Sequence, residues 1–165
     1  MVPRGFSLFL VSAFAGLAVA AAAVSALAQG LPVPRFVSLA ADEVNVRAGP
    51  STDYPIEWVY VRGGVPVEIV AEFDNWRRVR DRDGEEGWVH HSLLSGKRTA
   101  VVTGGLRTLF RTPDTAGVPV LQAEAGVIGM LLACEGAWCR MEIQGRRGWL
   151  HRDEIWGSYP DEAFD

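Results

Sequence analysis

The sequence has few of the residues from which catalytic and metal sites are usually built. It contains two cysteines and three histidines among 165 residues. It offers no legible Ser, His and acid arrangement, no glycine-rich phosphate loop and no zinc-ligand spacing. His90 and His91 are neighbours in a predicted strand, so their side chains should point to opposite faces and fail to converge on a metal. We therefore expect no enzyme activity, no metal and no cofactor.

Basic residues do not outnumber acidic residues in this sequence. The chain has 16 basic and 20 acidic residues, and an acidic protein is a poor ligand for nucleic-acid phosphates. Four arginines lie between positions 77 and 82, but acidic residues alternate with them, which is typical of a solvated mixed-charge hairpin. The composition therefore excludes nucleic acid as an expected partner.

Only one long apolar run is present, and it lies at the N-terminus. Arg4 precedes it, and it ends in Ala26-Leu27-Ala28 before Gln29. This pattern predicts a signal peptide over residues 1–28 that is cleaved on export. An uncleaved membrane anchor is the alternative. We expect a periplasmic or secreted protein without stable membrane insertion after cleavage.

No segment has a sustained helical period. Short apolar or alternating runs recur between Gly, Pro, Asp and Asn, as expected for an all-β protein. Trp76 with Gly87-Trp88-Val89-His90 recurs as Trp138 with Gly148-Trp149-Leu150-His151, which indicates a duplicated unit. We predict an extended lead-in over 29–35, two small barrels over 36–97 and 98–157, and a C-terminal tail over 158–165.

The duplicated pattern and the local sequence together predict further features of each repeat. Arg47 and Arg111 are taken as equivalent positions, 64 residues apart. Asp83-Gly84 predicts a type I′ hairpin turn, because both central residues of that turn need positive φ. Gly87 and Gly148 each precede a tryptophan, and a tryptophan ring lying across their backbone would explain both glycines.

The two cysteines are five positions apart across a predicted hairpin. In an exported protein, Cys134 and Cys139 favour a structural disulfide, while a thiol-redox pair is the weaker alternative. The tryptophan offset places Glu72 and Arg77 at the corresponding positions of the first repeat. We therefore predict an ion pair between Glu72 and Arg77.

Aromatic residues are unevenly distributed between the repeats. Tyr54, Trp58 and Tyr60 have no aromatic counterpart in residues 117–125, so the first repeat is the expected ligand-binding unit. Surface aromatics can hold a peptide or sugar chain by stacking and hydrogen bonding, although they also serve as domain contacts. The candidate ligand surface comprises Arg47, Tyr54, Trp58, Trp76 and Trp88.

The stretch Asn45-Val46-Arg47-Ala48-Gly49-Pro50-Ser51, followed by Trp76 and Gly87-Trp88-Val89, resembles the bacterial SH3 domain family. The second repeat departs from the opening motif, but its cysteine pair and Gly148-Trp149-Leu150 resemble a variant found in tandem exported members. The resemblance implies two SH3-like barrels and a non-catalytic role in binding cell-wall peptides or glycan. An adaptor that holds an envelope protein is the alternative function, and a thiol-redox protein a weaker one.

Overall fold

The structure is a computed structural model that describes residues 31–164. The predicted signal peptide lies outside these residues. Within residues 31–164, fourteen strands form two seven-stranded sheets, joined by turns that include two short 3-10 turns at His91–Leu93 and Arg152–Glu154. The prediction of an all-β protein with two tandem units is confirmed. No helix within residues 31–164 is long and apolar enough to cross a membrane.

The two sheets repeat one topology. The first, which we call the first barrel, contains β1 Arg35–Leu39, β2 Val44–Arg47, β3 Ile56–Tyr60, β4 Pro66–Phe73, β5 Trp76–Arg80, β6 Glu86–His90 and β7 Leu94–Ser95. The second barrel contains β8 Thr99–Val102, β9 Arg107–Phe110, β10 Pro119–Ala123, β11 Ile128–Glu135, β12 Trp138–Ile143, β13 Arg146–His151 and β14 Ile155–Trp156. Their strand orders are β3-β2-β6-β5-β4-β1-β7 and β10-β9-β13-β12-β11-β8-β14. Each strand of the first barrel thus has a counterpart seven strands later.

Each barrel has its own apolar core, because alternate residues of its strands face inward. Val44, Val46, Val67, Val79 and Val89 are fully buried in the first core. The second core is built around Leu109, Met141 and Leu150 together with both cysteines. Arg35, expected at the end of the lead-in, is the first residue of β1.

Strand register corrects the predicted equivalence of Arg47 and Arg111. Arg47 pairs with Trp88 between β2 and β6, and Phe110 pairs with Trp149 between β9 and β13. Phe110 is therefore the counterpart of Arg47. Arg111 corresponds instead to Ala48. The backbone N–H of Arg111 donates to Val118 O, and that of Ala48 donates to Pro55 O, so each closes the base of the loop that follows it.

The predicted type I′ turn at Asp83-Gly84 is wrong. Gly84 has a φ of 90°, whereas Asp83 is not in the positive-φ region. Asp81 organises a longer turn, because its Oδ1 accepts from the backbone N–H groups of Asp83 and Glu85 at 2.9 and 3.0 Å. A two-residue turn with positive φ at both positions is found instead at Gln144-Gly145, at 51° and 77°, between Ile143 and Arg146.

The neighbours of Gly87 and Gly148 also differ from expectation. A Cβ at Gly87 would lie 2.4 Å from Val46 Cγ1, with the Trp58 ring at 3.1 Å. At Gly148 the closest atom would be Leu109 Cβ at 2.7 Å, and no tryptophan is among the nearest three atoms. Both glycines therefore make room for the core residue of the strand paired with them, and a ring contributes only at Gly87.

The cysteine pair and the ion pair occupy equivalent register positions. Cys134 and Cys139 are paired across β11 and β12 and form a disulfide, which confirms the predicted bond. Glu72 and Arg77 are paired across β4 and β5, and the Glu72 carboxylate lies 3.0 Å from Arg77 Nε. Glu72 also forms an ion pair with Arg35. The second barrel thus has a covalent crosslink where the first has charges.

Replacing both cysteines with alanine is expected to lower the free energy of unfolding by about 2 kcal/mol, the loop-closure entropy of so short a loop. The matched control replaces Glu72 and Arg77 with alanine, which removes partly exposed ion pairs and should cost about 1 kcal/mol or less. Urea unfolding monitored by tryptophan fluorescence measures both. A loss no larger for the cysteine variant than for the control would contradict the prediction.

Residues 158–164, which belong to the segment expected as a tail, fold back onto the protein. We call residues 157–164 the C-terminal strap. Its Phe164 forms a backbone bridge with Cys134, with reciprocal hydrogen bonds of 2.9 and 3.3 Å. The Arg98 guanidinium donates to both carboxylate oxygens of Glu162. This bidentate ion pair holds the pKa of Glu162 below its ordinary value. The strap is therefore an integral part of the fold.

The strap also reaches the first barrel. The Tyr159 hydroxyl donates to Glu68 Oε1 at 2.8 Å, and the Tyr159 ring packs 4.8 Å from Phe36. Burial and the Glu68 contact raise the pKa of Tyr159. Thr99 Oγ1 of the second barrel donates to Gly64 O of the first at 2.8 Å. These contacts place the two barrels in one compact unit.

Candidate functional site

The outer face of the first barrel brings together three of the five predicted ligand residues. In β2, β5 and β6 the residues that alternate with the buried valines point outward. Register places Trp88 between Arg47 and Arg78, and all three side chains are half-buried or exposed. This row, Arg47-Trp88-Arg78, sets an indole between two guanidinium groups.

Trp76 lies in the next row of the same face. It is paired with His90, and the two rings meet edge to face with centroids 5.4 Å apart. His90 Nδ1 is 2.8 Å from Ser92 Oγ, which fixes the imidazole against the start of the 3-10 turn. Phe73, 61% exposed, is paired with Trp76 on the other side. We define the outer aromatic face as Arg47, Trp76, Arg78, Trp88 and His90.

Charge on this face comes mainly from the arginines. Arg78 pairs with Glu86 at 2.9 Å, but its side chain is 49% exposed, so solvent screens that pair. Arg47 also binds the backbone of the loop between β2 and β3, since its Nη1 donates to the carbonyl oxygens of Thr52 and Tyr54 at 3.1 and 2.7 Å. Arg47 thus holds the loop between β2 and β3 while its stem borders Trp88.

The other two predicted residues lie elsewhere. Tyr54 is 47% exposed and packs on Gly49, where a Cβ would meet its ring at 2.6 Å. Trp58 faces the first core, since it is paired with the inward-facing Val46. The predicted aromatic surface is therefore divided, with Trp58 on the inner side and Trp88 on the outer side of the sheet.

Tyr60 follows Trp58 on the inner side. Its ring meets Trp58 edge to face at 6.3 Å, and its hydroxyl donates to Asp81 Oδ2 at 3.2 Å. Burial raises the pKa of Tyr60 to about 12, and Asp81 contributes to the shift. Tyr60 therefore stays a protonated donor throughout the neutral range.

The second barrel has a related outer face. Trp138 meets His151 edge to face at 5.4 Å, as Trp76 meets His90. Trp149 lies between Phe110 and Arg140 in register, so Phe110 takes the place of Arg47. Residues 117–125 contain no aromatic residue, as the sequence shows, but Phe110, Trp138 and Trp149 give the second barrel an aromatic outer face of its own. An offset between the repeats one residue shorter than that from Arg47 to Arg111 identifies Phe110 as the counterpart of Arg47.

The two neighbouring histidines also depart from expectation. His90 and His91 do not lie on opposite faces, because the strand ends at His90 and the 3-10 turn begins at His91. Their ring centroids are 4.8 Å apart. Within residues 31–164, no group of three or more His, Cys, Asp or Glu side chains is arranged to hold a metal ion.

Sequence comparison finds a family match in both barrels. The sequence model of the bacterial SH3 domain matches residues 40–96 and 106–157. YrvJ of Bacillus subtilis (strain 168), which bears the name N-acetylmuramoyl-L-alanine amidase, is 24% identical over 138 residues. That match covers 77% of this chain and 26% of YrvJ, so the chain spans about a quarter of this relative.

Two solved structures are similar over part of their length. NlpC2 from Trichomonas vaginalis has a TM-score of 0.36 at 13% identity, over 81% of this chain and 51% of its own. An NlpC/P60 family protein from Bacillus cereus has a TM-score of 0.34 at 12% identity, over 73% of this chain and 55% of its own. The chain spans about half the length of each.

Proposed function

The chain belongs to the bacterial SH3 domain family, and on this premise we propose that it is a non-catalytic envelope protein that binds peptidoglycan through the outer aromatic face of its first barrel. The observation that carries the proposal is the row Arg47-Trp88-Arg78, next to the paired rings of Trp76 and His90. An indole between two cations suits a ligand that combines a stacking surface with carboxylates.

Peptidoglycan has that combination of groups. Sugar rings and short peptides offer apolar faces that stack on indoles, and peptide carboxylates accept paired hydrogen bonds from guanidinium groups. The name of the Bacillus subtilis relative, an N-acetylmuramoyl-L-alanine amidase, refers to a sugar acid joined to an amino acid and supports this ligand class. In the second barrel Phe110 replaces Arg47, so the same row has one cation fewer.

The proposed role is binding, and a thiol-dependent reaction is not part of the proposal. Both cysteines of the chain are in the disulfide, in the second barrel and away from the outer aromatic face. Trp58 is left out of the proposed surface because its ring packs into the first core. Tyr54 borders the surface only through the loop that Arg47 holds.

Co-sedimentation of the purified protein with isolated peptidoglycan tests the proposal. We expect wild-type protein to be retained and Trp88→Ala to bind at least tenfold more weakly, which is about 1.4 kcal/mol of binding free energy. Arg78→Glu should also weaken binding, and its exposed position spares the fold. The matched control is Leu106→Ala, an exposed apolar residue of the second barrel that is 59% accessible, which should bind as wild type.

Two results would overturn the proposal. One is no retention of the folded wild-type protein. The other is equal retention of wild type, Trp88→Ala and Arg78→Glu. If crosslinking in intact envelopes then joined residue 78 to a protein instead of to peptidoglycan, the adaptor function would replace wall binding.

A further inference from the structure

The strand β3 forms one edge of the first sheet, and within residues 31–164 it pairs only with β2. The free side of an edge strand presents unpaired backbone N–H and C=O groups to any further strand. Trp58 and Tyr60 of β3 pack on the first core. Val59 and the following Val61 point the other way and are 40% and 82% exposed. The first barrel therefore ends in an unpaired strand with an apolar outer surface.

The strand β10 has the same place in the second barrel, with the same one-residue bulge against its neighbour. Aligned on that bulge, Val59 and Val61 correspond to Gln122 and Glu124, which are exposed polar residues. Polar and charged side chains on an edge strand discourage further strands from pairing with it. The two edges therefore differ in the property that decides whether another strand can add.

The second barrel also protects the bulge of its edge strand. Pro119 begins β10 and has no N–H to offer, and Arg146 Nη2 donates to the carbonyl oxygen of Val120 at 2.5 Å. In the first barrel Ile56 stands at the position of Pro119 and Glu85 at that of Arg146. Ile56 keeps its N–H, and a carboxylate cannot donate to a carbonyl oxygen. The edge at β3 is thus the less protected of the two.

We propose that the edge of β3 is a self-association surface, to which a second copy of the chain adds its own β3 in antiparallel orientation. About a two-fold axis through Tyr60, Val59 of each copy lies opposite Val61 of the other, so four exposed valines cover one another. Exposed Glu57 and Arg62 lie towards opposite ends of this segment. Antiparallel copies therefore bring opposite charges together, whereas parallel copies would align like charges. A contact of this symmetry closes at two copies.

The two-fold axis of such a pair is perpendicular to the sheet, since paired residues of antiparallel strands point to the same face. The two outer aromatic faces therefore lie on the same side of the joined sheet. The association itself needs only β3 and does not depend on whether that face binds peptidoglycan. One strand pair buries less area than a standard stable interface, so we expect a weak dimer with a Kd on the order of 100 µM.

Sedimentation velocity of the purified protein, at concentrations from about 10 µM to 1 mM without peptidoglycan, tests the proposal. We expect wild type to change from monomer to dimer over this range. Val59→Lys should weaken the association at least tenfold, because it places a charge among the facing valines. The matched control is Gln122→Lys, the same new residue at the corresponding position of β10, which should associate as wild type. Thermal unfolding of each variant confirms that it is folded.

A pair of charge reversals tests the antiparallel arrangement. Glu57→Arg should weaken the association about threefold or more, as expected for the loss of two exposed ion pairs, and adding Arg62→Glu should restore it. A wild-type protein that stays monomeric up to 1 mM would overturn the proposal. So would dimers that Val59→Lys and Gln122→Lys affect equally, since these would form through another surface. Failure of the second charge reversal to restore association would exclude the antiparallel pairing of β3.

Discussion

Arg152→Ala is expected to lower the free energy of unfolding by about 3 kcal/mol, because three backbone carbonyl groups lose the charged donor of a buried arginine. Arg152 is only 9% exposed. Its Nε donates to Gly136 O at 2.9 Å, its Nη1 to Tyr159 O at 2.5 Å and its Nη2 to Glu162 O at 2.8 Å. One guanidinium thus ties the disulfide hairpin to two points of the C-terminal strap.

Urea unfolding measures this effect, and Arg147→Ala is the control. The Arg147 side chain is 59% exposed and pairs with Glu142 at 2.5 Å, so its loss should cost less than about 1 kcal/mol. Arg152→Lys should rescue only part of the stability, since an ammonium cannot reproduce the planar fork of donors. If Arg152→Ala were as stable as Arg147→Ala, the strap would not be a structural element.

Gly87→Ala is expected to destabilise the first barrel by about 3 kcal/mol, at the upper end of the range for overpacking a core. The new methyl group would lie 2.4 Å from Val46 Cγ1, 3.1 Å from the Trp58 ring and 3.2 Å from the Arg47 carbonyl oxygen. Val46 is fully buried, and its branched side chain has little rotamer freedom to move aside. The strain would displace β2 from β6.

Gly96→Ala is the matched control for that substitution. A Cβ at Gly96 meets no atom within 4 Å, and its φ is not in the positive region. Its stability should stay within about 0.5 kcal/mol of wild type, as for most surface substitutions. Thermal unfolding of the two variants side by side gives the comparison. Equal stability of Gly87→Ala and wild type would contradict the close packing of β2 on β6.

The fold could be read from the sequence because its main signals are local. Alternating strands, turn residues and the duplicated tryptophan pattern predicted two β units, and the cysteine spacing predicted the disulfide. The strap could not be found in this way, because residues 157–164 have no strand or helix period. Its position depends on long-range contacts such as Arg98 with Glu162 and Tyr159 with Glu68.

The candidate site was only partly predictable. Trp76 and Trp88 were identified, but Trp58 was grouped with them although register places it beside inward-facing Val46. Composition alone does not tell which side of a sheet a tryptophan occupies, because a one-residue change of register reverses the faces. The same sensitivity led to Arg111 being matched with Arg47 instead of Phe110.

NMR spectra of the six indole N–H groups, recorded during titration with soluble disaccharide-peptide fragments of peptidoglycan, test the central claim most directly. Each tryptophan reports on one place: Trp58 on the first core, Trp156 on the contact with Phe36, and the remaining four on the outer faces of the two barrels. Wall binding by the outer aromatic face predicts that Trp76 and Trp88 shift with the same saturation curve while Trp138 and Trp149 shift less. Unchanged Trp76 and Trp88 signals at saturating fragment, or shifts confined to the second barrel, would contradict it.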